Sequence, residues 1–231
     1  MIQAVIFNLD GVIAATHVCH YKAWETMAYE QGIPFDLNTY RQMAGMKRMD
    51  SLRVLLKRAE RAYAPGEMWA LSARKNDLFN ESVYHMGVNA LLPGVKDTIK
   101  ALREEGIRTA IASCSENAPG ILRQLKLLPL LDAVVDGSEL NAGKPDPEVF
   151  LLAARKLSMP TGDCLVIENT QAGITAAQEA GMKVIALDEE ETGDRECPLK
   201  YQSLTELDLP AWILDGRGLE GTDGKNQGSE G

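Results

Sequence analysis

The sequence predicts an α/β fold: a Rossmann-like parallel sheet core with a helical cap inserted after the first strand. Three observations predict it. Short β-branched runs alternate with amphipathic helical patterns along 89–187, the order produced by a parallel sheet with right-handed crossovers. The stretch 15–86 breaks that alternation with helical patterns alone. Polar residues able to carry chemistry follow the strand-like runs at their carboxyl ends, where open α/β sheets bind their ligands.

Residues 2–8, IQAVIFN, are β-branched and aromatic and stop at polar residues, the signature of a buried strand. Next come HYKAWETMAYEQG, NTYRQMAG, MDSLRVLLKRAER and GEMWALSARKNDLFNESVYHM, all helical in period. NALLPGV at 89–95 is expected to return the chain to the sheet, with Pro93-Gly94 as the turn. Helices over 95–105, 118–127, 147–157 and 171–180 then alternate with strands at 107–113 (IRTAIAS), 133–135 (AVV, the weakest), 164–168 (CLVIE) and 183–187 (KVIAL). The expected organisation is a core of 1–14 and 87–215, a helical segment of 15–86, and a tail of 216–231. That tail has six glycines in sixteen residues and one aliphatic. It cannot bury enough apolar surface to offset its ordering entropy and is expected to be disordered.

Composition narrows the function. The 231 residues are 45% hydrophobic and 25% charged, enough chain for a sizeable core and unlike disordered, collagenous or disulfide-scaffold proteins. No apolar run reaches the ~18 residues of a membrane span. MIQAVIFNLDGVIAA lacks a basic start and contains Asp10, so it is expected to be a strand and loop rather than a signal peptide. Cys19, Cys114, Cys164 and Cys197 are scattered without a CxxC spacing, which suits free thiols in a reducing, cytoplasmic setting. A net charge of −9 disfavours nucleic acid and anionic membrane as partners. A monomer acting on a small molecule is the expectation.

Four loops carry the chemistry. Asn8-Leu9-Asp10-Gly11-Val12 follows the first strand, and Ser113-Cys114-Ser115 the second. Lys144-Pro145-Asp146-Pro147 lies beyond the third, and Glu168-Asn169-Thr170 follows the fourth. Each has an ordinary explanation alone: a loop-capping aspartate, a strand-end serine, a solvated lysine. A parallel sheet brings all four together, and their order and placement are the strong signal.

In these motifs the chain resembles the haloacid dehalogenase superfamily, and within it the β-phosphoglucomutase family, from about Ile2 to Trp212. The resemblance implies an aspartyl-phosphate mechanism. The first aspartate of DxDGV attacks phosphorus and the second is the general acid and base. Here the first position is Asn8 and the second is Asp10. A carboxamide is a poor nucleophile where the covalent step needs a carboxylate. The resemblance makes Ser113, Cys114 and Lys144 phosphate-binding. It places Mg2+ on the Asn8 side chain, the Asp10 carbonyl and the Asn169 position, with Glu168 behind them. The family's acidic pair here reads Glu168-Asn169, so both side-chain carboxylates expected to hold Mg2+ are amides. A hard cation usually held by one or two carboxylates should bind poorly or not at all.

In the helical segment, the resemblance assigns substrate contacts to Thr16, His20, Trp24, Gly45, Arg48, Ser51 and Lys75, and in the core to Ser115 and Asn117. Arg48 would grip the distal phosphate of a bisphosphate. Ala15, Ala44 and Glu116 depart from the family pattern, which commonly has an acid at the first and lysine at the other two. The implied family reaction converts β-glucose 1-phosphate to glucose 6-phosphate. This chain is expected to bind a hexose phosphate but to be inactive or very weak in phosphoryl transfer. An active mutase or sugar phosphatase and a non-catalytic scaffold are the alternatives. Trp69, Trp212 and the methionines Met27, Met43, Met46, Met49 and Met68 fit a helical core or interface, and Glu189–Glu191 a solvated charge run.

Overall fold

The computed structural model describes residues 1–187 and 199–215. Six parallel strands form one sheet in the order β3-β2-β1-β4-β5-β6. They are β1 (Ala4–Phe7), β2 (Arg108–Ala112), β3 (Ala133–Val135), β4 (Cys164–Glu168), β5 (Lys183–Leu187) and the short β6 (Lys200–Tyr201). The first strand lies in the middle, with Phe7 paired to Ile111 on one side and Ile167 on the other.

A central parallel strand is covered on both faces, which is why β1 is apolar throughout. Its alternate residues feed two different cores. Val5 and Phe7 join Ile111, Ile167 and Ile185 against Val95, Ile99 and Leu102, whose spacing gives α5 (Val95–Glu104) its buried stripe. Helices α6 (Ala118–Gln124) and α9 (Leu209–Leu214) add Leu122 and Trp212 to the same core. Ala4 and Ile6 face the other way. They join Ala110, Ala112 and Ala186 against α7 (Glu148–Leu157) and α8 (Gln171–Glu179).

After β1 the chain forms α1 (Thr16–Glu30), α2 (Leu37–Met43), α3 (Arg48–Leu56) and α4 (Pro65–Met86). These helices have a core of their own, built from Trp24, Met27, Met43, Leu52, Leu55 and Leu71. Asp36 starts α2 by accepting from the Thr39 amide at 2.7 Å. The first half of α1 and the last turns of α4 supply Cys19, Ala23, Phe79 and Val83 to the sheet's core, so the helical segment is anchored at its base.

Residues 89–95 bring the chain back from the helical segment to the start of α5. The returning chain bonds to the outgoing one, Ala15 N to Ala90 O at 2.7 Å and Leu92 N to Ile13 O at 3.0 Å. Gly94, at φ +78°, sits before α5 with no room for a β-carbon beside Thr205. Trp69 is not core: it is 66% exposed, whereas Trp212 is buried. The expected helix at 118–127 stops at Gln124, and Lys126 turns the chain at φ +57°. Strand β6 and helix α9 lay outside the sequence expectation. Cys197, Glu189–Glu191 and the tail fall outside the described residues; Cys19, Cys114 and Cys164 are buried free thiols. Among the described residues no helix is long and apolar enough to cross a membrane.

Candidate functional site

The turn after β1 places the first two site residues. Asn8 N still bonds Ile167 O at 2.9 Å, and the amides of Ile13 and Ala14 then fold back on the Leu9 carbonyl at 3.0 Å each. Gly11 takes φ +83°, and a β-carbon there would lie 2.0 Å from Asn169 Nδ2. Both the backbone and the neighbour therefore demand glycine. The turn sets Asn8 and Asp10 side by side over the carboxyl end of the sheet.

Beneath them lies a buried ion pair. Lys144 Nζ donates to Glu168 Oε1 at 2.5 Å and to Asn8 Oδ1 at 3.0 Å, with both charged side chains at most 1% exposed. Such a pair needs its remaining lone pairs satisfied. Glu168 Oε2 meets that need by accepting from the amides of Asn169 and Thr170 at 2.5 and 2.7 Å and from the Thr170 hydroxyl at 3.1 Å. Thr170 also begins α8 by accepting from Gly173 N at 3.1 Å.

Lysine can only donate, so the Asn8 atom facing Lys144 is its oxygen, and Nδ2 points away. That NH2 group donates to the Asp10 carbonyl at 3.0 Å and to Asn169 Oδ1 at 2.9 Å. The three positions expected to hold Mg2+ are thus bonded to one another. Among the described residues no cluster of three His, Cys, Asp or Glu side chains could hold a metal ion. The donor set does not fit Mg2+.

The Asp10 side chain belongs to a second network. Thr16 Oγ1 donates to Asp10 Oδ1 at 2.5 Å, and His20 Nε2 lies 3.4 Å from the same oxygen. His20 Nδ1 in turn faces Lys75 Nζ at 2.6 Å. Burial would push the Asp10 carboxyl up, but His20, Thr16 and Lys75 outweigh it and hold it at about 2. Burial, then the Lys75 charge, pushes the His20 imidazole down. His20 thus stands between the Lys75 amine and the Asp10 carboxylate, in contact with both through its two ring nitrogens. Burial also drops Lys75 itself to about 7, with its ammonium over the rings of Trp24 and Phe79 at 5.1 and 4.7 Å.

The opposite wall comes from α3 and α4. Arg48 donates to Ser72 Oγ at 3.1 Å and to Asn76, and pairs with Glu116 at 2.8 Å. Asn117 Nδ2 reaches the same Asn76 oxygen at 2.9 Å. Lys47 donates to the Leu140 carbonyl. Gly45, at φ +83°, passes so close to Thr170 that a β-carbon would sit 2.9 Å from its hydroxyl. The helical segment is therefore closed onto the sheet.

Between them is a cleft of about 940 Å3. Thirteen expected site residues line it: Asn8, Asp10, His20, Trp24, Gly45, Arg48, Ser51, Lys75, Cys114, Ser115, Asn117, Lys144 and Asn169. Thr16, Ser113 and Glu168 do not, and instead support residues that do; the Ser113 hydroxyl accepts from the Ser115 amide at 3.1 Å. Among the described residues, Arg41, Lys47, Arg48, Arg53, Lys75 and Lys144 line the cleft, and so do Asp10, Asp50 and Glu116. In a protein of net charge −9, the described lining of the cleft is thus more basic than acidic.

Sequence reasoning missed His17 and Tyr40, and named Thr170 only as part of its loop, with no role of its own. His17 Nδ1 is buried without a hydrogen-bond partner at the cleft wall, and the Tyr40 hydroxyl donates to the His17 carbonyl at 3.0 Å. The role of Thr170 could have been found, because a threonine three residues before Gly173 has the form of a helix cap. Nothing in the local sequence marked the other two.

Fold and site together define a Rossmann-like α/β protein whose anion-attracting cleft is covered by helices inserted after the first strand. The chain belongs to the haloacid dehalogenase-like hydrolase family, whose model matches residues 2–181. It is 39% identical over 187 residues to a β-phosphoglucomutase from Bacillus subtilis, covering 80% of this chain and 83% of that protein. A phosphorylated carbohydrates phosphatase from Thermotoga maritima is 27% identical over 79% of this chain and 83% of its own length. The crystal structure of a β-phosphoglucomutase from Clostridium difficile superposes with a TM-score of 0.86 at 28% identity, covering 95% of this chain and 98% of that one.

Proposed function

We propose that this chain binds a hexose phosphate in the cleft and has lost, or nearly lost, covalent phosphoryl transfer. One observation carries the reading. Asn8 stands where the family's nucleophile would be, and both ends of its carboxamide are engaged in hydrogen bonds. It has neither the charge nor the free lone-pair geometry for attack on phosphorus. The relatives named β-phosphoglucomutase and phosphorylated carbohydrates phosphatase support the ligand class, as does the basic lining of the cleft. The buried free thiols support a cytoplasmic location.

In this reading 15–86 acts as a cap that closes over the sugar, and Lys144 and the loop Ser113–Ser115 hold the phosphate. Asp10, a carboxylate at neutral pH, accepts a hydrogen bond from a sugar hydroxyl, with Thr16 and His20 fixing its orientation. Without phosphoryl transfer the hydroxyl keeps its proton.

The intact Asp10–His20–Lys75 chain favours a second reading, a working mutase or phosphatase. Assay of the purified chain with β-glucose 1-phosphate and glucose 1,6-bisphosphate separates the two. The expected result is no interconversion and no acyl phosphate on the protein, together with measurable binding of the hexose phosphates. Turnover that scales with purified protein would overturn the proposal.

A further inference from the structure

We infer that the Asn8 carboxamide does the structural work of the divalent cation, so that phosphorylated ligands bind this site without Mg2+. The inference rests on the proposed function and deepens it. Its geometry is that of three groups converging on one point: the outer atom of residue 8, the Asp10 carbonyl oxygen and the Asn169 side-chain oxygen. Were residue 8 an aspartate in this pose, its outer atom would be an oxygen about 3 Å from each of the other two, with no hydrogen between them. Oxygens so placed repel unless a cation joins them. Here the outer atom is Nδ2, and its two hydrogens go to the other two oxygens at 3.0 and 2.9 Å. The cluster satisfies itself.

The orientation is not arbitrary. Lys144 accepts nothing, so its 3.0 Å contact holds the amide oxygen inward and the NH2 outward. Gly11 keeps Asn169 against it, since any side chain there would displace the Asn169 amide.

Charge leads to the same conclusion. Two carboxylates and one Mg2+ sum to zero, and two carboxamides alone also sum to zero. The substitutions remove the metal's holding groups and the need for its charge together. Asn8 and Asn169 bring no negative charge to repel a phosphate, while Lys144 and the basic walls of the cleft still attract one.

Calorimetric titration of the full chain with glucose 6-phosphate and with inorganic phosphate, in EDTA and in millimolar Mg2+, tests this. The dissociation constants should agree within about threefold between the two buffers. Mg2+ alone should leave the melting temperature unchanged. The variant Asn8→Asp/Asn169→Asp should bind glucose 6-phosphate at least about tenfold more tightly with Mg2+ than without, and Mg2+ alone should raise its melting temperature. Binding by the parent only in Mg2+ would overturn the inference while leaving the proposed function standing. No binding of a folded parent in either buffer would overturn both.

Discussion

Asn8 and Lys75 show how single side chains set this site's behaviour. Asn8→Asp alone should recover little mutase activity, because position 169 would still present an amide. Asn8→Asp with Asn169→Asp should recover far more than the two single changes combined, since both groups serve one step. Steady-state rates of the three variants measure that coupling. Lys75 gives a prediction about stability. Burial depresses its ammonium from 10.5 to about 7, so between those values the unfolded chain holds a proton that the folded lysine lacks. Stability from this group therefore rises with pH across that window, and the cost of burial is full below it. Lys75→Met should be most favourable relative to the parent near neutral pH, and its advantage should shrink towards pH 10 by up to about 1.4 kcal/mol per unit. Denaturant unfolding of both proteins between pH 6 and pH 10 checks this; a constant difference would contradict it. Gly11→Ala combines a positive φ with a clash against Asn169 and should destabilise by about 1–3 kcal/mol.

Helix α3 and the loop after β2 meet through Arg48 and Glu116, 2.8 Å apart across the cleft. Glu116 is half exposed, so the pair is worth little as stability. Its interest lies in occupancy: a carboxylate fills a guanidinium that would otherwise face an anionic ligand. Glu116→Gln should therefore tighten binding of glucose 1,6-bisphosphate more than that of glucose 6-phosphate. Arg48→Ala should weaken the bisphosphate more than the monophosphate. Calorimetry with both ligands is the measurement, and equal effects would show that Arg48 does not grip the second phosphate. Just before α1 and just after α4, the paired crossings at Ala15–Ala90 and Ile13–Leu92 are where a hinge would flex.

At the scale of the whole molecule, a chain of net charge −9 carries a cleft whose described lining is more basic than acidic. Phosphate affinity should fall with ionic strength, and the exposed Arg48–Glu116 contact should be screened before the buried Lys144–Glu168 pair. Ligand binding to the folded state alone should raise thermal stability with concentration, by about 2.7 kcal/mol at a hundred times the dissociation constant. Small-angle scattering should show the closed shape with hexose phosphate present; identical profiles for ligand-free protein would mean that closure needs no ligand.

The sheet was legible because β1, β2, β4 and β5 are buried on both faces, which forces continuous apolar runs whatever the partners. The helical segment was legible because Trp24, Met27, Leu52 and Leu55 repeat at helical spacing, and the site because its loops follow the strands. The substituted amides could also be read directly, since which side chain stands at a position is written in the sequence. What the amides do could not. That Asn8 turns its NH2 towards Asp10 and Asn169 depends on Lys144, which is 136 residues away. The same limit hid the Arg48–Glu116 pair, the exposure of Trp69 and the cleft-facing His17. Local sequence specifies periodicity and chemical type; hydrogen-bond direction and ion-pair partners arise only when distant segments compete for the same space.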